Sequence, residues 1–264
     1  MAMPGSRLRL AFLTALISGS VCAQPDNSPL HTSLLIASDF VHSGLSQTGS
    51  DPVLRFSADY EHATGFFAGG SLANAEYAAD SGRQSRRDSL ATLYAGYLWR
   101  AMNWSSNVSL ARYVYPGFSP RYDYAEVTAG AAYRNRYFLS YSRSNNYFSL
   151  GQHTELYRAG LAFPWLGELE VGLNAGEYLT RGRFRSRYSF WDLGLSRVFG
   201  RFALDLRFHD STYDRTSVIG EDPDDRWVFS VSYAISPRDD GSIERWESSD
   251  IRGLSPAERA PDRR

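Results

Sequence analysis

Hydrophobic and polar residues alternate one by one along this chain from residue 31 to Ser236, a period of two and not the 3.6 of a helix. Between Arg201 and His209, the residues Phe202, Leu204, Leu206 and Phe208 interleave with Arg201, Ala203, Asp205, Arg207 and His209. Between Arg226 and Ile235, the residues Trp227, Phe229, Val231, Tyr233 and Ile235 interleave with Arg226, Val228, Ser230, Ser232 and Ala234. Successive side chains on a strand point to opposite sides, so each segment carries an apolar stripe on one face and a polar stripe on the other. The pattern predicts twelve strands, over 32–44, 53–62, 65–76, 88–99, 104–114, 122–133, 136–145, 153–163, 168–178, 187–199, 201–209 and 226–235.

The connections between these segments alternate in length. Long links at 45–52, 77–87, 115–121, 146–152, 179–186 and 210–225 interleave with tight turns at Ala63-Thr64, Arg100 to Asn103, Arg134-Asn135, Pro164 to Gly167 and Gly200. A soluble sandwich has no reason to keep that parity, whereas an outer-membrane barrel has short periplasmic turns and long external loops. The expected fold is therefore an all-β, transmembrane, antiparallel up-and-down β-barrel spanning 24–236, with both ends on the periplasmic side.

The polar stripe decides which face is wet. It carries Asp39, Arg55, Asp59, Glu61, Glu126, Arg158, Glu170, Asp192, Asp205, Arg207 and Arg226, which form the expected lumen lining. A dry core does not hold so many ions, since burying an unmatched polar group costs roughly 1–3 kcal/mol and an ion more. The apolar stripes end in Tyr97, Trp99, Trp104, Tyr133, Trp191, Phe199, Trp227 and Tyr233, as expected of rings at headgroup level. An extracellular all-β adhesin is the alternative architecture.

Composition refines this picture. The mean hydropathy of −0.38 looks soluble, yet it averages two opposed faces. It excludes only a helical span, for which the chain beyond residue 23 has no apolar run of about 18 residues. The 28 basic residues, all arginine, nearly balance 29 acidic ones, which argues against a nucleic-acid partner. Residues 1–23 read as a secretory signal with Arg7 and Arg9, an apolar stretch from Leu10 to Ile17, and cleavage after Ala23. The one cysteine, Cys22, lies inside it behind a bulky Val21, so ordinary cleavage is expected rather than lipidation. That leaves no thiol for a disulfide, metal or nucleophile. Residues 237–264, charged and proline-containing, read as a disordered periplasmic tail.

Short motifs add a resemblance. Ser38-Asp39-Phe40, Gly44-Leu45-Ser46-Gln47-Thr48, Asp51-Pro52, Asp59-Tyr60 and Gly65-Phe66-Phe67-Ala68-Gly69, followed by Tyr94-Ala95-Gly96-Tyr97 and Tyr115-Pro116-Gly117, resemble the TorF family of porins. The likeness extends to about Ser236 and is most specific in the first two strands and their link. It implies an outer-membrane barrel of a Gram-negative bacterium that conducts solutes, and supplies no catalytic or ligand residues. The chain departs from that pattern at Ser43, where Arg is expected, and in continuing past its last strand.

Other candidate chemistry is sparser. His209 and Ser211 share a strand face, an arrangement like that of outer-membrane phospholipases, but His209 falls on the polar stripe whereas a lipid-cleaving group should face the bilayer. His153 with Glu155, and the acidic run Glu221, Asp222, Asp224 and Asp225, match no metal-ligand spacing. Arg181, Arg183, Arg185 and Arg187 recur at period two and aim outward at the external rim, where guanidinium forks suit lipopolysaccharide phosphates.

The expected activity is passage of small hydrophilic solutes through a narrow lumen, without catalysis or cofactor. Acids outnumber arginines along the lining, a lean towards cations, although opposed Glu and Arg side chains can pair and close it. The alternatives are an outer-membrane lipid hydrolase and a closed barrel whose external loops bind a partner. Expected partners are outer-membrane lipids, lipopolysaccharide, the solutes and the barrel assembly machinery.

Overall fold

A computed structural model of the chain describes residues 29–77, 86–117, 122–166, 169–182, 185–213 and 225–236. The signal segment 1–23, the tail 237–264, and Arg183, Glu221, Asp222 and Asp224 lie outside the described residues. The wall strands are β1 (Leu30–Ala37), β4 (Val53–Glu61), β5 (Phe66–Tyr77), β6 (Arg86–Ala101), β7 (Trp104–Val114), β8 (Tyr124–Tyr133), β9 (Tyr137–Tyr147), β10 (Gln152–Trp165), β11 (Leu169–Arg181), β12 (Ser186–Phe199), β13 (Phe202–Ser211) and β14 (Arg226–Ser236). Two short strands, β2 (Val41–His42) and β3 (Leu45–Ser46), pair only with each other.

The twelve wall strands form one closed antiparallel barrel in which each pairs with its sequence neighbours in the wall. Closure comes from β1, which pairs with β4 on one side (Leu35 opposite Arg55) and β14 on the other (Leu35 opposite Ser232). A closed ladder leaves no unpaired edge, the condition a sheet must meet in hydrocarbon.

The turns are built from residues that accept positive φ. Between β8 and β9, Arg134 (φ 52°) and Asn135 (φ 53°) both adopt it, as the central residues of a type I′ turn closed by the Arg136 amide donating to the Tyr133 carbonyl (3.1 Å). Gly200 (φ 56°) and Met102 (φ 53°) serve the same end of the barrel. At the opposite end the links 146–152 and 179–186 shrink to 148–151 and 182–185, because the flanking strands climb higher than their apolar stripes.

Parity sorts the side chains as the alternation requires. Leu54, Phe56, Leu93, Leu110, Leu139, Leu193, Leu206 and Phe229 face outward and are exposed. Paired rings mark the outer surface near the turns, with Trp104 on Tyr133 (4.9 Å between centroids) and Phe202 on Tyr233 (5.0 Å). Towards the other rim, Phe208 sits between Trp191 (5.6 Å) and Trp227 (5.3 Å). Two aromatic girdles flanking an apolar band are what membrane placement of a barrel demands.

One expectation fails locally. The first strand does not run over 32–44, and 45–52 is not an external loop. The wall strand stops at Ala37, and residues 38–50 turn back into the barrel. The reason lies in short polar side chains. Asp39 Oδ1 accepts from the Phe40 amide (2.6 Å), Ser46 Oγ (2.6 Å) and Thr48 Oγ1 (2.7 Å), closing the segment on itself in place of a wall ladder. Ser43 (φ 50°) and Gly44 (φ 80°) make the turn between β2 and β3.

Candidate functional site: the plugged lumen

The folded-in hairpin crosses the lumen near its long-link end and touches inward residues of strands on both sides. Val41, Ser43 and Thr48 are completely buried. On one wall, Arg158 of β10 donates from Nη2 to Ser43 Oγ (3.1 Å), and its guanidinium lies 5.2 Å over the Phe190 ring. Arg226 of β14 donates from Nη1 to Asp39 Oδ2 (2.9 Å) and to Ser50 Oγ (2.6 Å). Gly44 passes so close that a Cβ there would meet the Cβ atoms of Phe190 (2.7 Å) and Ser211 (2.8 Å).

Against the other wall the fit is looser. Phe40, His42 and Gln47 face Arg55, Ala73, Thr92, Tyr113 and Tyr124 across a cavity of about 20 Å³. That is room for roughly one water molecule.

Below the hairpin the lumen is filled by its own charges. Arg207 bonds Asp192 and reaches Asp205 through Nε (3.3 Å to Oδ1) and Nη2 (3.2 Å to Oδ2). Asn174 Nδ2 donates to Asp192 Oδ1 (2.9 Å), so three adjacent strands share one network. At the turn end Arg100 Nη2 pairs with Glu61 Oε1 (2.7 Å). Small hydroxyls bridge neighbouring strands in register, Ser33 to Ser57 and Thr128 to Ser142, each at 2.7 Å.

Each residue named for the lumen therefore faces inward. Arg55, Asp59, Glu61, Glu126, Arg158, Glu170, Asp192, Asp205 and Arg207 are buried in the wall lining, and Arg226 is nearly so. Asp39 is also inside, but on the hairpin and not on a wall strand. The stripe is polar without being open. Ion pairs and the hairpin fill the space that a water column would take.

Parity also places a set of rings that the composition of the stripes left unnoticed. Tyr113, Tyr124, Tyr147, Tyr178 and Tyr188 all point inward at the long-link end of their strands. They run as a chain of contacts, Tyr113 on Tyr124 (4.4 Å), Tyr124 on Tyr147 (4.7 Å), Tyr147 on Tyr178 (6.0 Å) and Tyr178 on Tyr188 (5.4 Å). The signal was available for four of them, because Tyr113, Tyr124, Tyr178 and Tyr188 occupy the polar parity of their strands, whereas Tyr147 is of the outward parity and is turned inward by a register shift between Ser144 and Tyr147.

The remaining candidates separate. His209 is buried in the lumen on the same face as Ser211, both on the β13 wall that the hairpin turn approaches and turned away from the lipid side. Glu155 is taken by Arg181 (2.9 Å) and Glu177 by Arg187, all on the outer surface, with Arg181 and Arg187 largely exposed. Among the described residues no cluster of His, Cys, Asp and Glu is arranged to hold a metal ion.

A closed twelve-stranded antiparallel barrel with a polar interior, an apolar exterior and aromatic girdles is an outer-membrane β-barrel. Residues 23–234 match the model of the Gcw_chp family, described as bacterial proteins of unknown function, and the chain belongs to that family. The match carries no TorF name, so the porin resemblance rests on its own residues. No curated protein matches the chain.

Among solved structures, LpxR from Salmonella typhimurium is similar at 8% identity and a TM-score of 0.50, over 77% of this chain and 99% of that one. The KdgM porin is similar at 11% identity and a TM-score of 0.47, over 76% and 98%. An outer membrane channel from Pseudomonas putida F1 is similar at 10% identity and a TM-score of 0.44, over 89% and 99%. At these identities the likeness concerns the fold alone.

Proposed function

We propose that the chain is an outer-membrane channel of a Gram-negative cell for small hydrophilic solutes or ions, held closed at rest by the hairpin of residues 38–50. What supports this reading is the line of inward ionisable side chains along the height of the wall, from Arg226 and Arg158 through Arg207, Asp192 and Asp205 to Glu61. A barrel that served only as an anchor has no need of them, since each buried ion costs several kcal/mol unless paired. Once the hairpin leaves, water reaches these groups, and their hydration offsets the pairing that is lost. The acidic excess along the lining favours small cations, and a barrel of this strand number excludes large solutes. Export by residues 1–23 and insertion by the barrel assembly machinery complete the proposal.

The test is planar-bilayer recording of the refolded chain lacking residues 1–23, beside a variant whose residues 40–47 are replaced by a short Gly-Ser linker. Rare openings in the first and sustained discrete steps in the second are expected. Silence of the shortened variant with intact β-structure overturns the channel reading.

A second reading, a permanently closed barrel whose long links engage an external partner, is favoured by the close seating of the hairpin, with Val41, Ser43 and Thr48 completely buried. It predicts that silence. A lipid hydrolase is less well supported, because His209 and Ser211 stand inside the wall. Loss of fatty-acid release from mixed micelles in H209A would revive it.

A further inference from the structure

The outer surface of β9–β12 carries a cluster of charges near the long-link end, where Arg112 of β7 and Asp210 of β13 also face outward. Register aligns Arg143 of β9 with Glu155 of β10, Glu155 with Leu179 of β11, and Leu179 with Arg187 of β12. The next outward positions towards the turns are Tyr141, Tyr157, Glu177 and Ser189, followed by Leu139, Ala159, Ala175 and Trp191. Towards the rim, Arg181 stands opposite His153. A band of charge thus lies directly beyond a row in which Tyr141 and Tyr157 contact at 5.0 Å and Glu177 and Ser189 occupy the other two strands, and that row lies directly beyond Leu139, Ala159, Ala175 and Trp191.

A tilted membrane strand needs about 9–11 residues to cross hydrocarbon. Strands β10, β11 and β12 have 14, 13 and 14, and the surplus at the long-link end carries the charges. The band therefore sits at the depth of the outer-leaflet headgroups.

We propose that Arg143, Arg181 and Arg187 form a binding site for the phosphate of a phosphorylated outer-leaflet lipid, with Tyr141, Tyr157 and Trp191 as the shelf against which its acyl chains rest. Two of the three guanidinium groups are matched by Glu155 and Glu177, Arg143 has no carboxylate partner among the described residues, and Asp210 of β13 accepts from Trp191 Nε1 (3.1 Å) at the edge of the shelf. Arg143 donates from Nε to Asn145 Oδ1 (3.0 Å), and the residue is exposed. Arg181 and Arg187 are held in place by Glu155 and Glu177, yet their side chains remain 64% and 70% exposed. A carboxylate that orients a guanidinium from one edge leaves the other edge of the fork for a phosphate oxygen. Lysine would not do this as well, being a point charge without a planar fork. The site rests on the orientation of the barrel, long links outward, and not on whether the lumen conducts.

The experiment titrates the full chain, folded in detergent micelles, with bisphosphorylated lipid A, dephosphorylated lipid A and inorganic phosphate, followed by tryptophan fluorescence and by native mass spectrometry. Lipid A should bind, dephosphorylated lipid A should bind about tenfold more weakly or worse, and inorganic phosphate should neither bind nor compete at millimolar concentration. The triple variant R143Q/R181Q/R187Q should lose about tenfold in affinity for lipid A, while R143K/R181K/R187K recovers part of it. Heat-modified gel mobility confirms that each variant is folded, and R187Q alone serves if the triple is not. Equal retention of lipid A by R143Q/R181Q/R187Q, or by R187Q where only that variant folds, overturns the site, as does equal binding of the dephosphorylated lipid. Binding of inorganic phosphate without lipid A overturns the lipid as its source.

Discussion

Arg226 donates to Asp39 at 2.9 Å across 187 residues of sequence, and this bond fastens the hairpin to β14, the last strand of the wall. The side chains are 11% and 5% exposed, so the pair is nearly dry. Removing one member of a buried pair is expected to cost about 3–5 kcal/mol, because the partner is left charged without its counterion. D39A should therefore release the hairpin and raise the frequency of bilayer openings by about tenfold or more. The exchange D39R/R226D should restore part of the closure. Openings as rare in D39A as in the wild type would mean that the seal does not depend on this bond.

Gly44 fits the hairpin against β12 and β13 at a distance no other residue tolerates. Its φ of 80° strains an L residue, and a Cβ would lie 2.7 Å from Phe190 Cβ and 2.8 Å from Ser211 Cβ. Neither neighbour is the flexible end of a side chain. G44A should thus combine a conformational cost of about 1 kcal/mol with an overpacking cost of about 1–3 kcal/mol. Gly151 provides the control, with φ 66° and nothing within 4 Å, so G151A pays the first cost alone. Urea unfolding in lipid vesicles and the opening frequency should both separate the two variants, and equal behaviour would contradict the close seating of the hairpin.

The barrel was readable because its determinants are local and repeat. Alternation sets the face of each side chain, and Leu204 outward with Asp205 inward follows from parity alone. The hairpin was not readable by the same rule. Phe40, Val41 and Leu45 supply apolar residues that prolong the first strand's pattern, and alternation does not distinguish a strand in the wall from a chain folded against its inside. What separates the two is the spacing of Asp39, Ser46 and Thr48, whose side chains hydrogen-bond to one another and to nearby amides. The outer arginines were placed by parity, but their carboxylate partners lie on neighbouring strands and depend on register, which the sequence does not print. The inward charges were likewise legible as a stripe, while their pairing across strands, as in Asp192 with Arg207, was not.

Arg207 is the centre of the lower lumen and should be the most costly of the lining residues to remove. It is 1% exposed, it bonds both Asp192 and Asp205, and its guanidinium lies over Gly194, where a Cβ would come within 2.5 Å of Cζ. R207M leaves two buried carboxylates facing each other and should cost about 3–5 kcal/mol. R207M/D192N/D205N removes the stranded charges and should recover most of that loss, since a neutral filling is often no worse than a buried ion pair. Urea unfolding in vesicles gives both values. A triple variant less stable than R207M would show that the acids are held by something other than Arg207.

The lipid face makes the opposite demand at the neighbouring position. Leu193 projects outward from the middle of β12, 45% exposed and in register with Phe208, while Asp192 beside it projects inward and is 1% exposed. If the outer surface meets hydrocarbon, L193R places a guanidinium near the bilayer midplane and should cost about 2–4 kcal/mol. The same substitution at Ser189, four residues nearer the external rim and also outward, should cost only about 0–1 kcal/mol because the arginine reaches the interface. Folding titrations in phospholipid vesicles measure the difference. A cost that is equal at 189 and 193 in vesicles would be incompatible with a membrane-spanning wall oriented in this way.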